Sequence, residues 1–119
     1  MRKIEDHKVN LANDRIEITV MDEPGVGGAN HHYAVDVDGS ENGLDIYFQN
    51  GPIAEAGVNG VTQEVLIAIC IDRLRSFRAG PYACRENALA LTKLEEAQHW
   101  LLSRTRARMV RGVEGTHQK

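Results

Sequence analysis

An aromatic ring, a side-chain amide and spaced arginines are enough to grip a nucleotide, and the second half of this 119-residue chain carries all three. Phe77 or Tyr82 offers a face for a base. Asn87 offers a donor and an acceptor for a base edge, and an arginine can cover the opposite face or fork onto phosphate oxygens. Arg104, Arg108 and Arg111 stand at i, i+4 and i+7, so they share a face if the segment is helical. The plainer reading is a solvated basic face beside a core phenylalanine, and residue types alone favour it.

Two helices must position these groups. Thr62 suits an N-cap with Glu64 in the first turn, and Leu66, Cys70, Leu74 and Phe77 form one stripe in which Cys70 reads as a small core residue. Val65, Ile67, Ile69 and Ile71 add apolar surface on other sides, which predicts a helix buried against more than one neighbour. Gly80-Pro81 stop it. The second helix is predicted from about Ala83 to Val110, ended by Gly112, with Leu91, Leu94, Ala97 and Leu101 as its packing stripe.

Their lengths constrain any site. At 1.5 Å per residue the second helix spans roughly 40 Å and the first roughly 24 Å, so the second overhangs. In an antiparallel hairpin Phe77 lies near Tyr82 and Asn87, while Arg104 and Arg108 fall roughly 25–30 Å further along. One chain cannot join these groups. Two hairpins packed antiparallel would bring the arginines of one copy to the Phe77 end of the other, forming two equivalent pockets.

The first half reads as a small sheet. Ile16, Ile18 and Val20 alternate with polar residues, as do Tyr33, Val35 and Val37, then Leu44, Ile46 and Phe48. Turn-forming residues join them at Pro24–Gly28 and Asp38–Gly43, so a three-stranded antiparallel meander is the simplest arrangement. Val9 and Leu11 suggest a short edge strand, and residues 49–61 form a breaker-rich connector. The expected class is α+β: an N-terminal antiparallel β region over 1–61 packed on a C-terminal antiparallel helical hairpin over 62–119, as one compact unit.

Composition narrows the functions. The chain is 42% hydrophobic and 26% charged, and Cys70 and Cys84 follow neither a disulfide nor a zinc pattern. No apolar run reaches the ~18 residues of a membrane span. With no signal-like start, a cytoplasmic protein is expected. Residues 1–62 hold eleven acidic against four basic residues (−7) and residues 63–119 six against ten (+4), for a net charge of −3. A local positive face on an acidic chain suits a small anion better than a long nucleic acid. Asp36 to Glu41 resembles a calcium loop, but the glycine comes early and the closing glutamate is missing, so a plain turn is favoured and no metal is expected. His31 and His32 are adjacent and point to opposite faces of a strand, so they cannot chelate one ion together. The Gly25–Asn30 segment lacks a phosphate-loop ending; it is a flexible connection or a flap over phosphates, which makes Asn30 and His31 candidate ligand contacts.

Several segments together resemble the phage Thoeris anti-defence family: Gly27-Gly28-Ala29-Asn30-His31-His32-Tyr33, Asn50-Gly51-Pro52-Ile53, Gly57-Val58-Asn59-Gly60, Ile71-Asp72-Arg73-Leu74, the run from Gly80 to Ala97, and Arg111 to Thr116. The hairpin is also similar to that of the phage anti-CBASS sponge, which lacks the N-terminal sheet. The resemblance implies binding without turnover: members sequester glycocyclic ADP-ribose made by a TIR-domain enzyme of the infected host. It implies that Phe77 and Arg104 sandwich the adenine, that Asn87 holds a polar edge and that Arg108 meets the pyrophosphate. It further implies a homodimer, extending to a trimer of dimers, and a second site for cyclic oligonucleotides lined by Arg111, Gly115 and Thr116. Arg78 and Tyr82 stand where glutamine and phenylalanine are expected.

Two rivals stay open. A hydrolase of the signal could use Cys84 with His31 or His99, but no chain spacing places them together. A nucleic-acid-binding hairpin rests on the clustered arginines and would show a steep salt dependence.

Overall fold

The computed structural model describes residues 1–119, the side chain of Val26 apart. Contacts cluster into two compact units, 1–61 and 62–119. In the first, a four-stranded antiparallel sheet is formed by β1 (Arg2–Ile4), β2 (Ile16–Val20), β3 (His32–Val37) and β4 (Leu44–Tyr47), in that order. The α1 turn (Leu11–Asp14) precedes β2 and the α2 turn (Ile53–Ala56) follows β4. The register follows from the alternation of residue types. Ile16 pairs with Val37, Ile18 with Ile4 and Val35, and Val20 with Tyr33, which in turn pairs with Ile46. Opposed residues share a face, so apolar groups gather on one side and Val20 is buried beneath them.

The sheet departs from expectation at its first edge. Val9 and Leu11 form no strand and are 85% and 80% exposed. The Asn10 side chain accepts the Asn13 backbone N–H at 2.8 Å and starts α1 instead. Arg2-Lys3-Ile4 supplies the edge strand, anchored by Lys3 Nζ on Thr19 Oγ1 at 3.0 Å. The β3–β4 hairpin turns through Asp38 and Gly39, both with positive φ (48° and 69°), a geometry that an Asp-Gly pair accepts readily.

The connector after β4 is more ordered than its breakers suggest. Asn50 N–H donates to Asn59 Oδ1 at 2.8 Å and Asn59 Nδ2 donates to the Asn50 carbonyl at 2.7 Å. Gln49 Nε2 reaches the Gly57 carbonyl at 2.7 Å, and Phe48 forms a parallel bridge with Val61. Gly60 sits where a Cβ would lie 2.5 Å from the Phe48 carbonyl carbon, so only glycine fits.

The second unit is a helical hairpin, α3 (Gln63–Arg78, 16 residues) against α4 (Arg85–Val110, 26 residues). Thr62 and Cys84 occupy the N-cap positions in extended conformation without side-chain caps. Gly112, at φ 74°, ends α4 after Arg111. Ile71 and Leu91 are its buried apolar residues. Cys70 is exposed and not in the core, because the face turned to α4 is centred on Ile71, one residue round the helix. Likewise Gln98 replaces Ala97 in the second stripe, donating from Nε2 to the Glu64 carbonyl at 2.9 Å. Val65 and Ile69 are exposed in the single chain (45% and 61%), as is Trp100 (65%).

Candidate functional site

One half of the candidate site lies at the turn of the hairpin. Phe77, half-buried, sits in the last turn of α3, and Asn87, also half-buried, sits in the first turn of α4. Six residues separate the helices, so both face the same end. Among the described residues the Asn87 amide makes no hydrogen bond within the chain, which leaves its donor and acceptor for a ligand. Tyr82 projects from the turn, 75% exposed. The Arg73 guanidinium lies 5.0 Å from the Phe77 ring centroid, a cation placed on the ring from one helical turn earlier.

The arginines occupy the opposite end. The Gln98–Glu64 bond fixes the register, so α4 runs on past α3 for roughly three turns and Arg104 lies roughly 27 Å from the Phe77 level. Arg104 and Arg106 are exposed and, among the described residues, form no ion pair.

Arg108 behaves differently. It is 7% exposed, and its guanidinium is committed to the C-terminal tail: Nε to Glu114 at 3.2 Å, Nη2 to the Val113 carbonyl at 2.9 Å and the Thr116 carbonyl at 3.3 Å, and Nη1 to the Gln118 carbonyl. Arg104, Arg108 and Arg111 therefore do not present one uniform solvent face. Gly112 reverses the chain and carries Glu114 back to Arg108, something helical periodicity cannot reveal. Arg111 Nη1 donates to the Lys119 carbonyl at 2.6 Å, Gly115 has φ 81°, and the Thr116 hydroxyl donates to the Val113 carbonyl. The three residues expected at a second site thus belong to the same folded tail.

Asn30 and His31 stand in the sheet unit, where local structure already uses them. Asn30 Nδ2 donates to the Asp22 carbonyl at 2.7 Å and its Oδ1 accepts from Arg2 at 3.1 Å. The Asp22 carboxylate accepts the His31 N–H at 2.9 Å and the His32 N–H at 3.2 Å. Desolvation pushes the Asp22 carboxyl up, but those backbone donors outweigh it and hold it below the usual carboxylate range. His31 Nδ1 is buried without a partner, and His32 stacks on Tyr47 with ring centroids 4.2 Å apart while its Nε2 lies 2.8 Å from Asp45. Glu17 is also held low, first by its 2.6 Å bond from Lys8, which in turn raises the lysine.

The sequence reading missed Arg73 and Asp22. An arginine four residues before an aromatic is a signal for the first; a carboxylate beside a glycine-rich turn is too common to single out the second. Among the described residues no three His, Cys, Asp or Glu side chains gather as a metal site would need, and no helix is long and apolar enough to cross a membrane.

Comparison with known proteins bears on the hairpin as a whole. The family model for the Acb2/Tad1 hairpin domain matches residues 40–106, more than half of the chain, a span that includes Phe77, Tyr82, Asn87 and Arg104 but stops before Arg108. A protein of Bacillus phage SBSphiJ7, "Thoeris anti-defense 1", is 57% identical over 74 residues, covering 62% of this chain. The matched stretch is 52% of that phage protein, so the similarity spans about half of its length. With its β4 strand, its ordered connector, all of α3 and α4 up to its last turn inside the matched span, this chain belongs to the Acb2/Tad1 hairpin-domain family.

Proposed function

We propose that this protein is a phage anti-defence factor that binds and sequesters a cyclic ADP-ribose-type signal, glycocyclic ADP-ribose above all, without degrading it. It would act in the cytoplasm of the infected host, where such a signal is made. The observation that carries this reading is the division of the nucleotide-binding groups. Phe77 and Asn87 stand at one end of the hairpin and Arg104 roughly 27 Å away, so a complete pocket requires two copies. The exposed Val65, Ile69, Leu89 and Trp100 supply apolar surface for such an association. The relative's name, "Thoeris anti-defense 1", supports the biological role.

In this arrangement Phe77 of one copy and Arg104 of the other enclose the adenine, and Asn87 pairs with its edge. Arg108 joins at the pyrophosphate only by exchanging the tail carbonyls for phosphate oxygens. Tyr82 borders the pocket.

Titration calorimetry with glycocyclic ADP-ribose tests the pocket. Phe77→Ala or Asn87→Ala should abolish binding while the oligomer, followed by sedimentation, persists. Mixing Phe77→Ala with Arg104→Ala protein should restore roughly a quarter of the sites, because half of the dimers are mixed and each mixed dimer holds one intact pocket. No restoration on mixing would refute a shared pocket. Intact ligand should be recovered on heating the complex, and recovered ADP-ribose would indicate hydrolysis instead.

A further inference from the structure

Several arginines of this chain have an oxygen partner. Arg75 is paired with Glu95 at 2.8 Å, Arg15 with Asp38 at 3.4 Å, and Arg108 with Glu114 and the tail. Arg73 does not: among the described residues its charge meets no carboxylate, and it lies over the face of Phe77, 5.0 Å from the ring centroid. It is exposed, so nothing fixes it there beyond a surface cation–π attraction, a weak hold compared with a bidentate salt bridge. The guanidinium therefore covers one face of the ring, and it is free to leave.

We propose that Arg73 is a ligand-binding residue of the Phe77 half-site. In the free chain its guanidinium covers the ring; when a base stacks on that face, the fork turns onto the phosphate oxygens of the same ligand. The inference rests on the reading of Phe77 as a base platform. The chemistry is economical, since the group displaced by the base is the one that its anionic portion attracts. A planar fork can stack on a ring and then make two parallel bonds to a phosphate, which an ammonium cannot do. Arg73 would thus discriminate in favour of ligands carrying a phosphate within reach of the stacked base, and against neutral nucleosides.

The test is calorimetric titration of glycocyclic ADP-ribose into wild type, Arg73→Ala, Arg73→Lys and Phe77→Ala, at low and at high ionic strength. Arg73→Ala should weaken binding by about tenfold or more, with Arg73→Lys recovering part of the loss. The gap between wild type and Arg73→Ala should narrow as salt rises, a response that a purely structural helix contact would not give. If Arg73→Ala misfolds, Arg73→Gln keeps the length of the side chain and removes the charge. Wild-type binding with unchanged or tighter binding by Arg73→Ala would overturn the proposal and leave Phe77 in place. Absence of binding by wild type would overturn the sequestration reading, and the role of Arg73 with it.

Discussion

Replacing Arg108 by alanine is the sharpest test of how the C-terminal tail is held. The side chain is 7% exposed and donates to Glu114 and to the carbonyls of Val113, Thr116 and Gln118. Hydrogen bonds to a charged group contribute about 1.5–3 kcal/mol each when their partners stay buried. Here the partners lie on half-exposed or exposed residues and can rehydrate on opening, so the bonds do not add in full. A net loss of about 3 kcal/mol is expected, confined to the tail. This corresponds to an acceleration of roughly 100-fold in amide exchange at the hydrogen-bonded tail amides. The reporters are the Val113 N–H, bonded to the Arg108 carbonyl at 3.0 Å, and the Thr116 N–H, bonded to the Val113 carbonyl at 3.1 Å. Amides around Leu91, at the level of the hairpin core, should not change. Glu114→Gln keeps an acceptor and should cost only about 1 kcal/mol. Exchange at Val113 and Thr116 in Arg108→Ala that stays within about threefold of wild type would refute this account. The same geometry bears on ligand binding. Removing residues 113–119 frees the Arg108 guanidinium and should tighten glycocyclic ADP-ribose binding if that arginine serves the pyrophosphate.

Gly60→Ala should destabilise the sheet unit by about 1–3 kcal/mol, because its Cβ would approach backbone atoms of Phe48 and Tyr47 that cannot rotate away. An unchanged melting temperature would mean that the connector is looser than the structure indicates. Acid should weaken the same unit. Asp22 and Glu17 are held low in the folded chain, so the stability that they provide is present above the ordinary carboxylate pKa and is lost as pH falls through their lowered values. Glu17→Gln should flatten that acid limb in circular-dichroism melts. Lys8 is raised, so its contribution holds below the ordinary lysine pKa and disappears as pH climbs through the raised value, an alkaline loss that Lys8→Met should remove.

Much of the fold was legible in local pattern. Period-two alternation located β2, β3 and β4, and the Asp-Gly pair located their hairpin turn, because in a half-buried sheet side-chain direction follows residue parity. The edge strand was less visible: Arg2-Lys3-Ile4 has one apolar residue, and its pairing depends on β2 being there to receive it. Helix boundaries came from Gly80-Pro81 and Gly112, whereas the rotation of each helix did not. With apolar residues on several sides of α3, the sequence admits more than one inward face, and contact with α4 chose Ile71 over Cys70.

The candidate site divides in the same way. Residue types and helix lengths alone placed Phe77 and Asn87 at one end of the hairpin and Arg104 far from them, since rise per residue is a property of the helix and not of its surroundings. What the tertiary structure decided is where charge is spent. Arg108 and Arg104, alike on paper, differ because a left-handed glycine folds the tail back onto one of them. Arg73, with no carboxylate in reach, rests on the Phe77 ring.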